Sequence, residues 1–403
     1  MNELRAEELH EKILTQTDMS KEIEDETLVE IIHKVLAEEE EENEYSSLKE
    51  KVHIGKELFN AFRKLNILQE LIEDDEITEI MINGVQNIFI EKEGRITKLD
   101  KRFISRQKLE DVIQQIVAGA NRLVNEASPI VDARLEDGSR VNVVLYPIAL
   151  NGPIVTIRKF PKEAITMEKL VKWKSIDREV CDFLKELIVA KYNIFISGGT
   201  GSGKTTFLNA LSQYIPKEER IITIEDNAEL QIMEIANLVR LEARNANIGG
   251  VGEISIRDLI KTALRMRPTR IIVGEIRGTE AIDLLQAMNT GHQGNLSTGH
   301  SNSAEDMLSR LETMVYMGMD LPLPAIRRQI ASGLDVIVHL GRLRDSSRKV
   351  LEVMEILGYE NEEIQTQKVF EFQEIGEENG KIIGEMRKVN ELTHKEKLLA
   401  AGL

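Results

Sequence analysis

The feature that most constrains this chain is a glycine-rich segment between a predicted strand and a predicted helix. Residues 198–205 read Gly-Gly-Thr-Gly-Ser-Gly-Lys-Thr, which satisfies the pattern GxxxxGK[ST]. A short apolar run over 192–197 precedes the segment, and apolar residues at helical spacing follow it until Pro216. A segment of this kind binds phosphate at the end of a strand. The sequence therefore predicts an α/β nucleotide-binding domain around this phosphate-binding loop (P-loop).

Each residue type in the P-loop has a physical role. Glycines let successive backbone N–H groups point at phosphate oxygens, and the positive end of the following helix adds to the same site. Lys204 can reach the β and γ phosphates, Thr205 can ligate Mg²⁺, and Thr206 is placed for the α phosphate. The alternative is a glycine-rich turn with an incidental lysine, but four glycines and the correct flanks argue against it. The predicted nucleotide-binding residues are Gly198, Gly199, Thr200, Gly201, Ser202, Gly203, Lys204, Thr205 and Thr206, with ATP and Mg²⁺ as cofactors.

Two acidic residues follow other predicted strands. Glu225 comes directly after the apolar run 221–224, and Glu275 follows the run 270–274. Ligands of open α/β sheets bind at the carboxyl ends of the strands, so both carboxylates should face the phosphates. For either residue alone, an N-cap or a surface carboxylate is an equally good interpretation. We expect Glu225 to orient the attacking water as a base and Glu275 to join Thr205 near Mg²⁺, and the reverse assignment stays open.

The spacing of apolar residues changes along the chain and predicts its domains. Helical spacing near the beginning gives way to strand and hairpin patterns, and then to alternating strands and helices, which are typical of a mostly parallel sheet covered by helices. We predict an acidic helical bundle, a small α+β domain, a linker, a P-loop ATPase domain, and C-terminal strands with a helix that belong to or pack on that domain. Their ranges are 1–74, 75–160, 161–172, 173–341 and 342–403.

The charge of the chain is unevenly distributed. The whole chain has 69 acidic and 52 basic side chains and a formal net charge of −17, but residues 1–50 alone carry 17 acidic and 5 basic ones. The negative balance disfavours proteins that track nucleic acid or coat an anionic bilayer, although the rest of the chain is close to neutral. We therefore predict no nucleic-acid partner, and we interpret the acidic segment as a solvated, partner-binding module.

Several classes of protein are disfavoured by what the sequence lacks. The chain has one cysteine, Cys181, and so cannot form an internal disulfide or a CxxC metal site. No apolar run approaches the roughly 18 residues that a membrane span needs, and residues 1–8 do not resemble a signal peptide. We expect no membrane span and a cytoplasmic protein.

Beyond the P-loop, three further segments resemble motifs of a known family. They resemble, in chain order, the acidic box, the atypical second nucleotide motif and the histidine box of secretion and pilus ATPases. The chain most resembles the CpaF-type ATPases of Tad (Flp) pilus and type II or IV secretion systems, from about Ile77 to residue 340. The absence of the four-cysteine zinc element found in the extension branch favours this type. The three segments are 224–230, 264–278, and 288–294 with 297–302.

The resemblance implies a hexameric motor with a RecA-like P-loop domain, in which ATP lies between that domain and the preceding α+β domain. In such motors, arginines of the α+β domain of a neighbouring subunit, or of the same chain, complete the charge around the γ phosphate. The matching positions are Arg134 and Arg158, with Arg140 as a third candidate. Each of them alone could equally be a surface or hairpin arginine.

The histidine-box resemblance singles out His292 and His300, which we place in two glycine-flanked loops. A histidine in a loop is more often structural than catalytic. Their position after Glu275 in the sequence nevertheless favours nucleotide sensors. Neither histidine has a carboxylate or cysteine at zinc spacing, so we do not expect metal ligands.

The resemblance and the motifs together predict a hexameric ATP-hydrolysing motor that powers pilus assembly or protein secretion. Its predicted partner is an integral-membrane platform protein, which would hold the chain at the inner face of the cell membrane. Two alternatives stay open at this point: a RecA-like motor that works on nucleic acid, and a nucleotide-dependent switch that does no mechanical work.

Overall fold

The computed structural model of the chain describes residues 8–9, 12–13, 15–16, 24–42, 48–63, 65–92, 94–103, 105–159, 165–244 and 252–403. Contacts within the chain divide it into two compact units, Met1–Glu163 (unit 1) and Ala164–Leu403 (unit 2). Residues 161–164 of the predicted linker lie outside the described residues. The finer domain boundaries stay a prediction. None of the helices in the described part of the chain is both long and apolar enough to cross a membrane.

Unit 1 begins with an amphipathic helical segment. The apolar stripe predicted from residue 28 to residue 36 is buried against apolar residues of the second helix, including Ile54 and Leu58. The helices are therefore amphipathic: despite the many acidic residues, one apolar face is available for packing. The helices are α1 (Asp25–Glu42), α2 (Leu48–Arg63) and α3 (Ile67–Glu73).

The rest of unit 1 is an antiparallel sheet with a helix on one face. The predicted turn at Asp137–Gly138 joins β4 to β5, where the Ser139 amide donates to Asp137 Oδ1 at 2.9 Å. Strand β3 was not predicted, because all four of its residues are exposed and it has no apolar alternation. The spatial order is β3-β2-β1-β6-β5-β4. The elements are β1 (Ile77–Asn83), β2 (Ile88–Lys92), β3 (Arg95–Lys98), α4 (Arg106–Gly119), β4 (Ile130–Arg134), β5 (Arg140–Val144) and β6 (Ile154–Arg158).

Unit 2 is built on a nine-stranded sheet with the order β15-β14-β13-β12-β7-β11-β10-β8-β9. The strands from β12 to β9 pair in parallel, and β13, β14 and β15 extend the sheet in antiparallel pairing. The elements are α5 (Met167–Lys172), α6 (Arg178–Val189), β7 (Ile194–Gly198), α7 (Lys204–Ser212), β8 (Ile221–Glu225), β9 (Leu238–Glu242), α8 (Ile256–Ala263), β10 (Arg270–Val273), α9 (Ala281–Asn289), β11 (Leu296–His300), α10 (Ala304–Gly318), α11 (Leu323–Gly333), β12 (Val336–Arg342), β13 (Arg348–Glu360), β14 (Glu363–Glu378), β15 (Lys381–Lys388) and α12 (Glu396–Ala400).

The parallel part of this sheet is covered on both faces. Along β7, Ile194 and Ile196 belong to one buried apolar core, and Phe195 between them belongs to another. Successive residues of a strand point to opposite faces, so each core lies on its own side of the sheet. The α/β fold and the mostly parallel sheet predicted for this region are confirmed, and the antiparallel strands are the part that the pattern described least well.

Candidate nucleotide-binding site

One edge of the parallel sheet gathers the predicted site residues of unit 2 except His292. The P-loop follows the carboxyl end of β7, His300 is the last residue of β11, and Glu225 is the last residue of β8. Glu275 follows β10, which lies between β11 and β8 in the sheet. Because these strands are parallel, their carboxyl ends meet at one edge, as expected for a ligand site in an open α/β sheet.

The backbone of the P-loop requires glycine at its first position. Gly198 has φ 156°, and a Cβ there would lie 2.4 Å from the Leu340 carbonyl oxygen and 2.6 Å from Ser202 Oγ. Gly203 precedes α7 with φ 92°, which L-residues adopt only under strain. The loop therefore packs tightly against the neighbouring strand β12 while its backbone turns into the helix.

The first turn of α7 offers unsatisfied N–H groups to an anion. The hydrogen bonds of this helix begin with the Phe207 amide, which donates to the Gly203 carbonyl at 2.8 Å. The amides of Lys204, Thr205 and Thr206 precede that bond and have no carbonyl one turn earlier within the helix. Together with the positive end of the helix dipole they suit a phosphate.

Lys204 lies inside the P-loop and not at its surface. Its side chain is 7% exposed, and its Nζ donates to the carbonyl oxygens of Gly198 and Gly199, both at 3.1 Å. Burial lowers the pKa of the ammonium, which the nearby Glu275 carboxylate partly offsets. The lysine is thus held where it can reach a phosphate in the loop.

A chain of contacts connects Lys204 to the acid after β10. Lys204 Nζ lies 3.2 Å from His300 Nδ1, His300 Nε2 lies 2.9 Å from Glu275 Oε1, and Arg277 Nη2 donates to Glu275 Oε2 at 2.6 Å. Burial and the Lys204 charge lower the pKa of His300, which favours the neutral imidazole. An ammonium has no acceptor, so Nδ1 must accept and the imidazole proton sits on Nε2, facing Glu275.

Glu225 is the more buried of the two predicted acids, with 3% of its surface exposed. Its Oε1 accepts hydrogen bonds from the amides of Glu229 at 2.7 Å and Leu230 at 2.8 Å. Burial nevertheless raises the pKa of the carboxyl to about 7, because desolvation outweighs these two bonds. Gly274 leaves room for this side chain, since a Cβ there would lie 2.9 Å from Glu225 Cγ.

Glu225 has an oxygen suited to a further ligand. Its Oε2 is buried without a hydrogen-bond partner among the described residues, whereas Glu275 Oε1 lies 2.9 Å from His300 Nε2. A buried polar atom of this kind is uncommon and calls for a proton, a water or an ion. The P-loop amides, Thr205 and the two carboxylates therefore fit a nucleotide with Mg²⁺.

The two histidines of the predicted histidine box do not lie together. His300 ends strand β11 and is not in a loop, whereas His292 lies in the predicted loop before this strand. The length of the strand, about 16 Å at 3.3 Å per residue, separates His292 from the edge that carries the P-loop. The structure brings His300 to the site but leaves His292 at the opposite edge, a placement that argues against a sensor role for His292 at the P-loop of its own chain.

The three predicted arginines form a row in unit 1. Arg134 lies directly opposite Arg140, and Arg140 lies directly opposite Arg158, across β4, β5 and β6. Directly opposed residues of antiparallel strands project from the same face. Arg158 Nε is 3.6 Å from Glu79 Oε1 on the next strand. Like charges directly opposite one another repel, and an anion bound on this face would reduce that repulsion.

Sequence reasoning missed two cationic residues of the P-loop edge. Arg277, which was seen only as part of a motif, bonds to Glu275, and this bond raises the pKa of the guanidinium. Arg310 lines a cleft of about 480 Å³ together with Gly199, Thr200 and His300. The signal for Arg277 was its place two residues after Glu275, and the signal for Arg310 was a polar helix face after the histidine box.

The chain is similar to known proteins over most of its length. A family model described as "Type II/IV secretion system protein" matches residues 62–397. A putative conjugal transfer protein of Mycobacterium tuberculosis is 32% identical over 293 residues, covering 71% of this chain and 83% of that protein. The type IV secretion system protein PtlH of Bordetella pertussis is 30% identical over 317 residues, covering 72% of this chain and 93% of PtlH.

Among solved structures, the Legionella pneumophila ATPase DotB is similar in fold, with a TM-score of 0.51 and 21% identity over 73% of this chain and 80% of DotB. This similarity supports the RecA-like fold of the P-loop domain. The family match extends over most of the chain, from the end of α2 to α12. The chain belongs to the type II/IV secretion system ATPase family.

Proposed function

We propose that this chain is a Mg²⁺-dependent ATPase of the CpaF type, which hydrolyses ATP to ADP and phosphate. As a homo-hexamer it would use the hydrolysis to power pilus assembly or protein secretion through an integral-membrane platform protein. That partner would hold it at the inner, cytoplasmic face of the membrane. Family membership supports the secretion role, and the geometry of the P-loop edge supports the ATPase activity.

The observation that carries the proposal is the unbroken series of contacts from the P-loop to Glu275. Lys204 contacts His300, His300 contacts Glu275, and Glu275 is bonded to Arg277. A nucleotide-binding loop alone would need only the lysine. Hydrolysis also needs a metal ligand and a group that orients water, and both acids lie at this edge.

In the proposed reaction, water attacks the γ phosphorus and the bond to the β–γ bridging oxygen breaks. Glu225, with a pKa of about 7, can accept the proton of that water near neutral pH. Lys204 stabilises the negative charge on the transferred phosphoryl group, and Thr205 and Glu275 would hold Mg²⁺. The bound Mg²⁺ would neutralise charge on the β and γ phosphate oxygens.

His300 has a separate proposed role as a sensor of the γ phosphate. Its ring contacts both Lys204 and Glu275, so any shift of the lysine toward a phosphate changes what His300 Nδ1 can accept. His300 would transmit this change to Glu275 and to the residues after β11. The role needs no charge on the imidazole, in keeping with its lowered pKa.

We further propose that the arginine row contributes to hydrolysis. Arg134, Arg140 and Arg158 present three guanidinium groups on one face of the six-stranded sheet. Arginines supplied to a γ phosphate by another domain or subunit can be worth roughly 10³- to 10⁵-fold in rate. The row belongs to unit 1, so it would act on the nucleotide of the same chain or of a neighbouring subunit.

ATP turnover by a Lys204→Ala variant tests the ATPase proposal. We expect a loss of at least roughly 100-fold, because the variant removes the cation that stabilises the transferred phosphoryl group. Lys217→Ala is the matched control, since Lys217 is an exposed lysine of unit 2 that pairs with Glu234. Full activity of Lys204→Ala would refute the proposal.

The same assay separates a secretion motor from a nucleic-acid motor. Adding DNA or RNA should leave the turnover of the wild-type chain unchanged, whereas membranes that contain a platform protein should stimulate it. Strong stimulation by nucleic acid, with none by the platform protein, would contradict the proposed role.

A further inference from the structure

The cleft beside the P-loop has a second wall, whose residues take no part in the proposed reaction. On one side lie Gly199 and Thr200 of the P-loop and His300 of β11; on the other lies helix α10, with Asp306, Ser309, Arg310 and Thr313. The four helical residues are spaced i, i+3, i+4 and i+7, so they share one face of α10. This face is polar throughout and borders the loop directly.

The orientation of α10 is fixed by its other face. Met307, Leu311 and Met314 are buried in an apolar core against the sheet. The N-cap residue of the helix, Ser303, lies three residues after His300, and its Oγ accepts from the Asp306 amide. A helix held at its beginning and along its buried side cannot rotate without exposing that core. The polar face is therefore a fixed part of the cleft.

Arg310 is the cation of this wall. Within the part of the chain that the structure describes, its guanidinium forms no hydrogen bond or ion pair. Asp306 stands four residues earlier, at the usual spacing of a helical ion pair, and yet the two side chains are not paired. By contrast, Arg277 is bonded to Glu275 and Arg327 to Glu312. The guanidinium N–H groups of Arg310 are therefore available to another partner.

The surrounding charges indicate what that partner is. Arg310 shares the cleft with His300, which contacts the buried Lys204. Guanidinium groups bind phosphate through two parallel hydrogen bonds, which is the strongest contact that an arginine makes with an anion. Asp306 offsets one positive charge but provides no donor. An anion with several acceptor oxygens is therefore the ligand that fits this wall.

We propose that Arg310 binds the terminal phosphate of ATP in the cleft beside Gly199 and Thr200. The γ phosphate is the group in question because the cleft includes the P-loop beside Lys204, which reaches the β and γ phosphates. Neither Lys204 nor Thr206 lines the cleft, and Lys204 is connected to it through its contact of 3.2 Å with His300, which does line it. The inference deepens the proposed ATPase function and rests on it.

Binding of Mg²⁺–ADP and of Mg²⁺–AMP-PNP to the full chain tests this role. Calorimetric titrations would compare the wild-type chain with Arg310→Gln and Arg310→Lys. A lost charge-assisted contact should weaken AMP-PNP binding by roughly 10- to 100-fold and change ADP binding by less than about twofold. Arg310→Lys should keep part of the difference, because lysine retains the charge without the paired donors.

Arg328→Gln serves as the matched control. Arg328 is an exposed arginine on α11, its guanidinium 5.2 Å from the Tyr359 ring, and it does not line the cleft. Its variant should bind both nucleotides like the wild-type chain. Circular dichroism would confirm that all variants are folded, as expected for exposed side chains.

Two outcomes would overturn the role of Arg310: unchanged binding of AMP-PNP by Arg310→Gln, or an equal loss of ADP and AMP-PNP. A Lys204→Ala chain in the same titration separates this failure from failure of the ATPase function. If nucleotide binding depends on Lys204 but not on Arg310, only the inference about Arg310 fails. If the wild-type chain binds neither nucleotide, the ATPase function and the inference fail together.

Discussion

The parallel sheet in unit 2 has two edges, one at the amino ends and one at the carboxyl ends of its strands. Arg270 at the first and Glu225 at the second differ in how their buried polar atoms are hydrogen-bonded. At the amino edge, Arg270 is fully buried, and its guanidinium makes two hydrogen bonds to Glu219 and one each to the carbonyls of Gly294 and Ile188. At the carboxyl edge, Glu225 Oε2 is buried without a hydrogen-bond partner among the described residues. The chain itself satisfies the buried Arg270 guanidinium, whereas it leaves one oxygen of Glu225 open to a ligand.

Two asparagines at the amino edge also form hydrogen bonds with buried backbone groups. Asn193 Nδ2 donates to the Gly333 carbonyl at 2.7 Å, and Asn193 Oδ1 accepts from the Asn295 amide at 2.9 Å. Asn295 Oδ1 in turn accepts from the Ile271 amide at 2.9 Å. Side chains that bond to the backbone between strands stabilise the sheet without a ligand, whereas an unsatisfied buried carboxylate oxygen costs stability unless a ligand binds. The comparison indicates that the polar contacts at the amino edge stabilise the fold, whereas those at the carboxyl edge serve ligand binding.

The largest expected effect is a loss of stability when the buried ion pair at the amino edge is broken. Arg270→Met leaves the Glu219 carboxylate buried without its partner, and we expect a loss of roughly 3 to 5 kcal/mol in the free energy of unfolding. Removing both charges in Arg270→Met/Glu219→Met should cost less than the single change. Urea unfolding measures both variants.

Arg327→Met is the control for this comparison. Arg327 pairs with Glu312, but its side chain is 28% exposed, so the change should cost about 1 kcal/mol or less. Unfolding midpoints for Arg270→Met and Arg327→Met that agree within error would show that the buried contacts of the amino edge do not stabilise the fold more than an exposed ion pair does.

The second prediction concerns the carboxyl edge, where a substitution should lower ATP turnover without lowering stability. Glu275→Gln keeps the shape of the side chain but removes the charge that faces His300 and Arg277. We expect ATP turnover to fall by roughly 10²- to 10³-fold, since one preorganised electrostatic contact is lost. The free energy of unfolding should change by less than about 1 kcal/mol. A variant that is active but unstable would reverse the contrast between the edges.

The smallest effect is a pH dependence due to Glu225. With its pKa raised to about 7, this carboxyl is protonated below pH 7 and cannot accept a proton from water. The rate of hydrolysis should rise about tenfold per pH unit from pH 5 to 7 and level off above. Glu225→Gln should be slower at every pH and should lack the inflection near pH 7, as measured by steady-state turnover.

The same pKa fixes the sign of the effect on stability. The folded chain holds the Glu225 proton up to about pH 7, whereas the unfolded chain loses it near pH 4.5, so the folded state binds more protons between these values. Stability therefore decreases as the pH rises through this window. Urea unfolding at pH 5 and pH 8 should show a smaller decrease for Glu225→Gln than for the wild-type chain, and equal decreases would contradict the assignment.

Much of the fold and of the site followed from local sequence patterns. The P-loop, the strands before Glu225 and Glu275, the helix after Lys204 and the hairpin around Asp137 each occupy one short segment, whose residue types satisfy one local geometry. Because β8, β10 and the P-loop strand β7 are parallel, placing acids at strand ends was enough to bring them to one edge. Strand β3 escaped prediction, since its side chains are all exposed and carry no apolar pattern.

Tertiary structure alone decided the features that depend on two distant segments. The direction of β11 placed His300 at the P-loop and His292 at the other edge, although the sequence grouped them in one motif. Strand register aligned Arg134, Arg140 and Arg158, and the packing of α10 turned Arg310 toward the P-loop. The physical reason is that sequence patterns report how a segment folds locally, whereas pairing and core packing determine which side chains from separate segments meet.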